Sequence, residues 1–318
     1  MFFSVAHIRG LLSRIWRFAT VVFFAYMHEF CGRVGEKKFW IWWEFSNFVC
    51  DIDYKMKKYI LDLKVVSNER FASGHSLLKL TDESKALPEI LPGQFVQVRA
   101  CAEGGLPLLR RPISVNFVDR EKNELWLLVH NVGVGTAYIC SLNPGDTANV
   151  VLPLGNGFTI PPRGGKVKHE LLVGGGVGTA PLLYLGKELL KRDVEPTFLL
   201  GGRSARDILQ LDDFAKYGRV FITTEDASAG EQGFVTQHSL LEREKFDYIA
   251  TCGPKPMMKA VAKYASQSGT ACEASLENMM ACGLGACLCC VEENAEGHNV
   301  CVCKEGPIFN INKLSWLN

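Results

Sequence analysis

The sequence predicts an α+β multidomain chain: an antiparallel β-barrel, an α/β parallel-sheet nucleotide domain, and a small cysteine-rich C-terminal domain. Three observations carry that prediction. Short alternating strands with Pro- and Gly-bearing turns fill residues 56–160. Strands alternate with helices over residues 161–270, with a glycine-rich turn after the first strand. Six of the twelve cysteines fall between positions 282 and 303, inside a last segment of 271–318.

A chain of 318 residues has room for two or three domains. Its net charge of +1, without long basic or acidic runs, offers nucleic acid no footprint. Residues 1–55 stand apart, because they hold four of the six tryptophans. Their longest uncharged apolar stretch, 18–27, is too short to span a bilayer. No small-residue cleavage site follows it. An amphipathic anchor on a membrane surface is one reading. The break in composition favours another: an atypical extension that is not part of the working protein, which begins at Met56 and needs no membrane.

From Met56 the pattern is β. Residues 59–66 alternate, 75–80 make a second run, and 94–99 follow the Leu91-Pro-Gly turn. Residues 124–130 make a further strand, and 147–152 another after Asn143-Pro-Gly-Asp146. Two motifs decorate this barrel. Arg111-Pro112-Ile113-Ser114 sets a guanidinium and a hydroxyl along one extended edge, with proline fixing the strand beside it. The planar fork of arginine suits two oxygens of a phosphate. Val132-Gly-Val-Gly135-Thr136 places glycines before a short helix, where N–H groups also suit a phosphate. Alone, each reads equally as an ordinary strand end or turn; their order in one β domain is more informative.

After the Pro161-Pro-Arg-Gly-Gly165 linker come a strand over 169–173, a glycine-rich turn and a helix over 182–192. Strands at 197–200, 220–223 and 248–251 then alternate with helices at 208–217, 237–244 and 256–267. Such alternation gives a doubly wound parallel sheet with ligands at the carboxyl ends of its strands. The turn, Gly174-Gly175-Gly176-Val-Gly178-Thr179-Ala-Pro181, departs from G-x-G-x-x-G because Thr179 occupies the third glycine position. It exposes N–H groups to a pyrophosphate, or it serves only as a structural strand–helix turn. Cys252-Gly253-Pro254 ends a later strand, in place to approach the same ligand.

In the last segment Cys282, Cys287 and Cys290 read C-x4-C-x2-C, with Cys303 after twelve intervening residues. That is the plant-type spacing for a [2Fe–2S] cluster. Gly283, Gly285 and Ala286 let the backbone come close enough to aim N–H groups at sulfur. Structural zinc sites usually pair two short C-x2–4-C knuckles, and the first spacing here is C-x4-C, the longest of these. A disulfide knot belongs to secreted chains, and the sequence carries no convincing secretory signal, so a reducing, cytoplasmic setting is expected. Cys289 and Cys301 stand beside the chosen ligands and leave the fourth thiolate open on spacing alone.

Taken in order, the barrel motif, the glycine turn, Cys-Gly-Pro and the four-cysteine tail resemble the ferredoxin reductase superfamily. More closely, the chain resembles the electron-transfer subunits of type B, NAD-dependent dihydroorotate dehydrogenase, from about Met56 to the C-terminus. Met280-Ala-Cys-Gly-Leu-Gly-Ala-Cys-Leu-Cys-Cys-Val291 is the most specific piece. The resemblance implies that Arg111, Pro112, Ile113 and Ser114 bind FAD, with Leu128, Val129 and His130 along the next strand. It implies Gly135 and Thr136 at the flavin phosphates. Gly174, Gly175, Gly176, Gly178, Cys252, Gly253 and Pro254 would form the NAD site, and Cys282, Cys287, Cys290 and Cys303 would hold the cluster. It implies NAD rather than NADP, although Arg203 follows the second strand of the sheet, where an arginine meets a 2′-phosphate.

NAD accepts two electrons as a hydride and a [2Fe–2S] cluster passes them singly, so a flavin belongs between them. The implied route runs from dihydroorotate, through a catalytic FMN subunit, to cluster, FAD and NAD+, in a heterotetramer with two of each chain serving pyrimidine biosynthesis. The chain shows no orotate site and no catalytic residue of its own; its seven histidines are scattered singly. Two other readings stay open at this stage. One is a reductase subunit of another complex, hydrogenase-, sulfide- or glutamate-linked; the other is a non-catalytic iron–sulfur redox sensor.

Overall fold

The computed structural model describes residues 57–317, and the expectation for residues 1–55 lies outside them. The barrel is built from β1 (Tyr59–Arg70), β2 (His75–Thr81), β3 (Phe95–Val98), β4 (Arg111–Asp119), β5 (Glu124–His130) and β6 (Thr147–Leu154). Their order is β1-β2-β5-β4-β3-β6, and β6 pairs back to β1, so the barrel is closed and antiparallel as expected. Alternation does the sorting: Leu61, Leu63 and Val65 of β1 are buried, while Ile60, Asp62 and Val66 face out. β1 runs four residues beyond the expected end at 66, because a register shift between Val65 and Ser67 lets pairing resume. The Arg-Pro-Ile-Ser motif opens a nine-residue strand, β4, between β5 and β3. Helix α1 (Val134–Ser141) follows β5.

The second layer begins with β7 (His169–Gly175) and α2 (Ala180–Leu190). It continues with β8 (Glu195–Gly202), α3 (Leu211–Ala215), β9 (Arg219–Thr224), β10 (Glu231–Gln232), α4 (Leu240–Arg243), β11 (Tyr248–Cys252), α5 (Lys255–Ser268) and β12 (Ala271–Ser275). Both faces of this parallel sheet are covered. Leu172, Phe198, Leu200 and Ala250 join α2 and the barrel in one core, whereas Leu171, Val173, Leu199 and Ile249 join α5 in another. That explains why the strands read as continuous apolar runs. Two helices are shorter than the periodicity predicts. The one over 208–217 shrinks to α3 because Gln210 turns left-handed at φ 57. The one over 237–244 shrinks to α4, since Val235–Gln237 forms a separate 3-10 turn and His238 is extended.

The C-terminal segment contributes a small hairpin, β13 (Val291–Glu293) and β14 (Asn299–Cys301), then α6 (Val302–Glu305) and β15 (Ile308–Asn310). β15 pairs antiparallel with β12 and becomes the edge of a seven-stranded sheet ordered β10-β9-β8-β7-β11-β12-β15. The sequence pattern identified neither β12 nor β15. Among the described residues no helix is long and apolar enough to cross a membrane.

At the sheet's opposite end from its glycine turn, Glu170 is almost fully buried beside Glu273. Glu273 accepts from the Thr159 N–H (2.9 Å) and hydroxyl (2.7 Å), tying the segment after the barrel to β12. Burial, and then the Glu273 charge, pushes the Glu170 carboxyl up to about 8 from an ordinary 4.5. The folded state therefore binds an extra proton between those values, and stability falls as pH rises through that window. Glu170→Gln is expected to raise the melting temperature near pH 8 and to flatten its decline from about pH 5 upward. Thermal denaturation across that range checks it; a decline as steep in the variant as in the parent would assign the effect to other groups.

Candidate functional site

The side chains singled out in the sequence fall in three clusters. The first joins β4 to α1. Arg110 is spent on the barrel, where its Nη1 donates to the Asn149 carbonyl (2.9 Å) and its Nη2 to the Asn149 side chain. Arg111 instead lies over the first turn of α1: a Cβ built on Gly135 would sit 2.7 Å from its Nε. Gly135 therefore lets the guanidinium and the helix start come together. Thr136 accepts from the N–H groups of Val132 (3.0 Å) and Gly133 (3.1 Å), so its hydroxyl shapes the turn itself. Of the expected Leu128, Val129 and His130, the first two bury their side chains in the core and only His130 is exposed. His130 stacks on His75 at 4.1 Å between ring centroids. Burial, and then the charge of His130, lowers the His75 pKa.

Beside Arg111 opens an apolar hollow of about 490 Å³, lined by Leu106, Pro107, Leu108, Leu109 and Val134. Sequence reasoning passed over it. Its signal was an apolar Leu-Pro-Leu-Leu run in a segment without strand alternation, three of whose leucines are exposed.

The second cluster is the glycine turn after β7 against the loop after β11. Their strands are adjacent, with Gly174 opposite Cys252. A Cβ on Gly178 would fall 2.4 Å from the Gly253 Cα, so the two backbones touch and the expected Gly174–Gly178 and Cys252–Pro254 stretches form one surface. The turn itself is a 3-10 turn, Gly176–Thr179, leading into α2 with Pro181 in the helix's first turn. Cys252 is buried, which pushes its thiol far up, and its Sγ lies 4.0 Å from the Glu277 carboxylate. Glu277 is an exposed residue, and partial desolvation of its carboxyl raises its pKa.

The third cluster holds the cysteines. All ten described cysteines are free thiols. The Leu284 N–H donates to Cys282 Sγ (3.3 Å), and the Gly285 N–H to Cys303 Sγ (3.1 Å) across eighteen residues. The Cys303 N–H donates to Cys290 Sγ (3.4 Å). Cys287 lowers the Cys282 thiol and Cys290 raises the Cys303 thiol, so each of these thiols has another as a near neighbour. Burial opposes ionisation of Cys282, but the N–H groups of Leu284, Cys287 and Ala286 and the Cys287 thiol outweigh it and bring the group down to about 6. Burial, followed by the hydrogen bond and charge of Cys290, pushes Cys303 up to about 12. Cys289 is exposed, and Cys301 sits partly exposed on β14 with its N–H donating to Glu305 (3.0 Å). Among the described residues, no three metal-binding side chains gather at one point. Four neighbouring thiols suit a binuclear cluster, in which each iron takes two thiolates.

Comparison with known proteins bears on each part. Residues 277–315 match the family model for the iron–sulfur cluster binding domain of dihydroorotate dehydrogenase B. Residues 172–263 match the oxidoreductase NAD-binding domain. The chain is 38% identical over 248 residues to the dihydroorotate dehydrogenase B (NAD(+)) electron transfer subunit of Geobacillus sp. strain WCH70, covering 77% of this chain and 91% of that one. It is 39% identical over 255 residues to the subunit of the same name from Listeria monocytogenes EGD-e, covering 80% and 98%. Among solved structures, an NADH-dependent reduced ferredoxin–NADP oxidoreductase, studied for flavin-based electron bifurcation, aligns with a TM-score of 0.71. Its identity is 30%, over 80% of this chain and 90% of that one. The cytochrome b5 reductase domain of Ulva prolifera nitrate reductase shares the fold, with a TM-score of 0.55 at 21% identity over 66% of this chain and 93% of that one.

Backbone contact at Gly178 makes a specific demand. Gly178→Ala has no flexible side chain to push aside, so the two loops must part, at a cost of about 1–3 kcal/mol. Urea unfolding should show that loss. Calorimetric titration with NADH should show binding weakened at least tenfold, and unchanged affinity would remove this surface from nucleotide binding.

Proposed function

This chain belongs to the family of electron transfer subunits of dihydroorotate dehydrogenase B (NAD(+)), and from that premise we propose how its parts divide the work. It is an oxidoreductase subunit that carries electrons to NAD+ in pyrimidine biosynthesis, using FAD, a [2Fe–2S] cluster and NAD. When bound, these groups join one-electron exchange at the cluster to two-electron hydride exchange at NAD, with FAD between.

The chain's own residues hold and shield those groups. Cys282, Cys287, Cys290 and Cys303 ligate the cluster, while the N–H groups of Leu284 and Gly285 direct hydrogen bonds at the ligating sulfurs and favour the reduced, more negative state. Arg111 and the Gly135–Thr136 turn take the FAD pyrophosphate; Pro112, Ile113, Ser114 and His130 flank the flavin. Leu128 and Val129 contribute backbone and core rather than side chains. Gly174 to Gly178 and Cys252 to Pro254 receive NAD, with the nearly closed backbone contact excluding water from beneath it. By this division residues 56–160 are the FAD domain, 161–270 the NAD domain and 271–318 the cluster domain, with 1–55 an extension outside them.

An electron transfer subunit requires a catalytic partner. The partner we propose oxidises dihydroorotate on FMN in a heterotetramer of two of each chain, in the cytoplasm. It docks where the cluster loop surfaces, at Met279, Leu284 and Leu288, which are exposed large apolar side chains. The observation that carries this reading is the joint presence of the neighbouring thiols and the two phosphate-suited backbone turns in one compact unit.

The purified holoprotein should show flavin absorbance, two irons per chain and a reducible two-iron EPR signal, and it should reduce an artificial acceptor with NADH. Copurification of a dihydroorotate-oxidising chain is expected. Zinc in place of iron, or no NADH-driven turnover, would sink the proposal. Cys303→Ser should lose most of the native cluster. If iron content and EPR signal stay complete in that variant, Cys301 is the fourth ligand.

A further inference from the structure

We propose that the Gln97 side-chain amide donates a hydrogen bond to the iron–sulfur cluster from the barrel side and raises the cluster's reduction potential. This rests on the reading of Cys282, Cys287, Cys290 and Cys303 as cluster ligands. Gln97 is 1% exposed, and neither its Nε2 nor its Oε1 has a hydrogen-bond partner. Among the described residues it is the one side chain left unpaired at both polar ends. Burying an amide unpaired costs free energy, so such a group calls for a missing partner. Gln94 shows the contrast three residues earlier: its Oε1 accepts from the Leu91 N–H (2.7 Å) and its Nε2 donates to the Gly155 carbonyl (2.7 Å).

The direction in which Gln97 points follows from the pleat of β3. Val96 and Val98 face the barrel core, so Phe95 and Gln97 face the other way. Phe95 on that face packs in the same apolar cluster as Cys290 and Cys303. Gln97 meets the cysteine loop itself: a Cβ built on Gly283 would lie 2.8 Å from Nε2 and 2.9 Å from Cγ. Gly283 follows Cys282 directly and sits at φ +67, so a side chain there is refused both by backbone and by the amide. On the other side, the cross-strand partner of Gln97 is Pro112, on the strand assigned to the flavin. The amide thus occupies the seam between the cluster loop and the flavin strand, with its donor end nearest the loop. A donor aimed at cluster sulfur stabilises the reduced form.

Holoprotein and Gln97→Met, an apolar replacement of similar length, should be compared by potentiometric titration followed by EPR. Iron content, flavin absorbance and the two-iron signal of the parent are read first, and their absence would count against the cluster itself. With a full cluster in both, the variant should titrate at a lower midpoint potential with shifted g-values. An unchanged midpoint and unchanged g-values would mean that the amide is met by water, and would overturn the inference. A second measurement needs no variant: reduced parent protein carrying glutamine labelled with ¹⁵N in its side-chain amide should show a ¹⁵N coupling in pulsed EPR. Its absence would overturn the inference even if Gln97→Met failed to fold.

Discussion

The pairing of β12 with β15 is the constraint on which the rest of the site depends. Three residue pairs, Glu273 with Asn310, Ala274 with Phe309 and Ser275 with Ile308, bind the last strand to the edge of the parallel sheet. The residues between these strands carry every cysteine of the cluster loop, so that loop is held at both ends. The hold extends past the strand, since Leu276 N–H donates to the Pro307 carbonyl (2.9 Å) and Ile308, Phe309, Ile311 and Leu314 are all buried. At about 1.5–3 kcal/mol for each buried side chain as an upper bound, this apolar anchoring outweighs the entropy of closing a loop of that length.

The barrel is fixed to the same lobe from the other side. The Asn156 N–H donates to the Gly306 carbonyl (2.7 Å), and Phe95 and Leu154 from the barrel share a core with Cys290, Cys303 and Phe309. The barrel's opposite face shares a core with α2, and Asn116 donates from β4 to the Ala180 carbonyl at the start of that helix (3.0 Å). The barrel is therefore held between the sheet, through β4, and the cluster lobe, through β3 and β6. Single-electron transfer between a cluster and a flavin depends on fixed separation, and shared cores provide it better than mobile linkers would.

Much of this was legible in the sequence. Period-2 alternation located β1, β2, β3, β5 and β6, and apolar runs located β7, β8, β9 and β11, because burial on one face or two faces writes directly into residue choice. Cys282, Cys290 and Cys303, singled out by spacing, are sulfurs that the fold meets with backbone N–H groups. What stayed hidden depends on tertiary partners. β15 is three residues long and has no period to read; it becomes a strand only beside β12. Helix α3 fails where Gln210 adopts φ 57, a local choice that apolar spacing cannot report. Leu128 and Val129 carried a functional expectation through their neighbours in sequence, yet their side chains belong to the core.

The functional surface also has a common construction. At each of three places, a glycine admits an atom that a Cβ would exclude: Arg111 Nε at Gly135, the Gly253 backbone at Gly178, and Gln97 Nε2 at Gly283. Each contact joins segments far apart in the chain, so none can be inferred from the glycine's own neighbours. Only the last also needs a left-handed backbone, which makes position 283 doubly restrictive. Sites assembled through backbone approach leave few side-chain signatures. The motifs therefore mark segments, while the glycine contacts bring each segment against its partner in the fold.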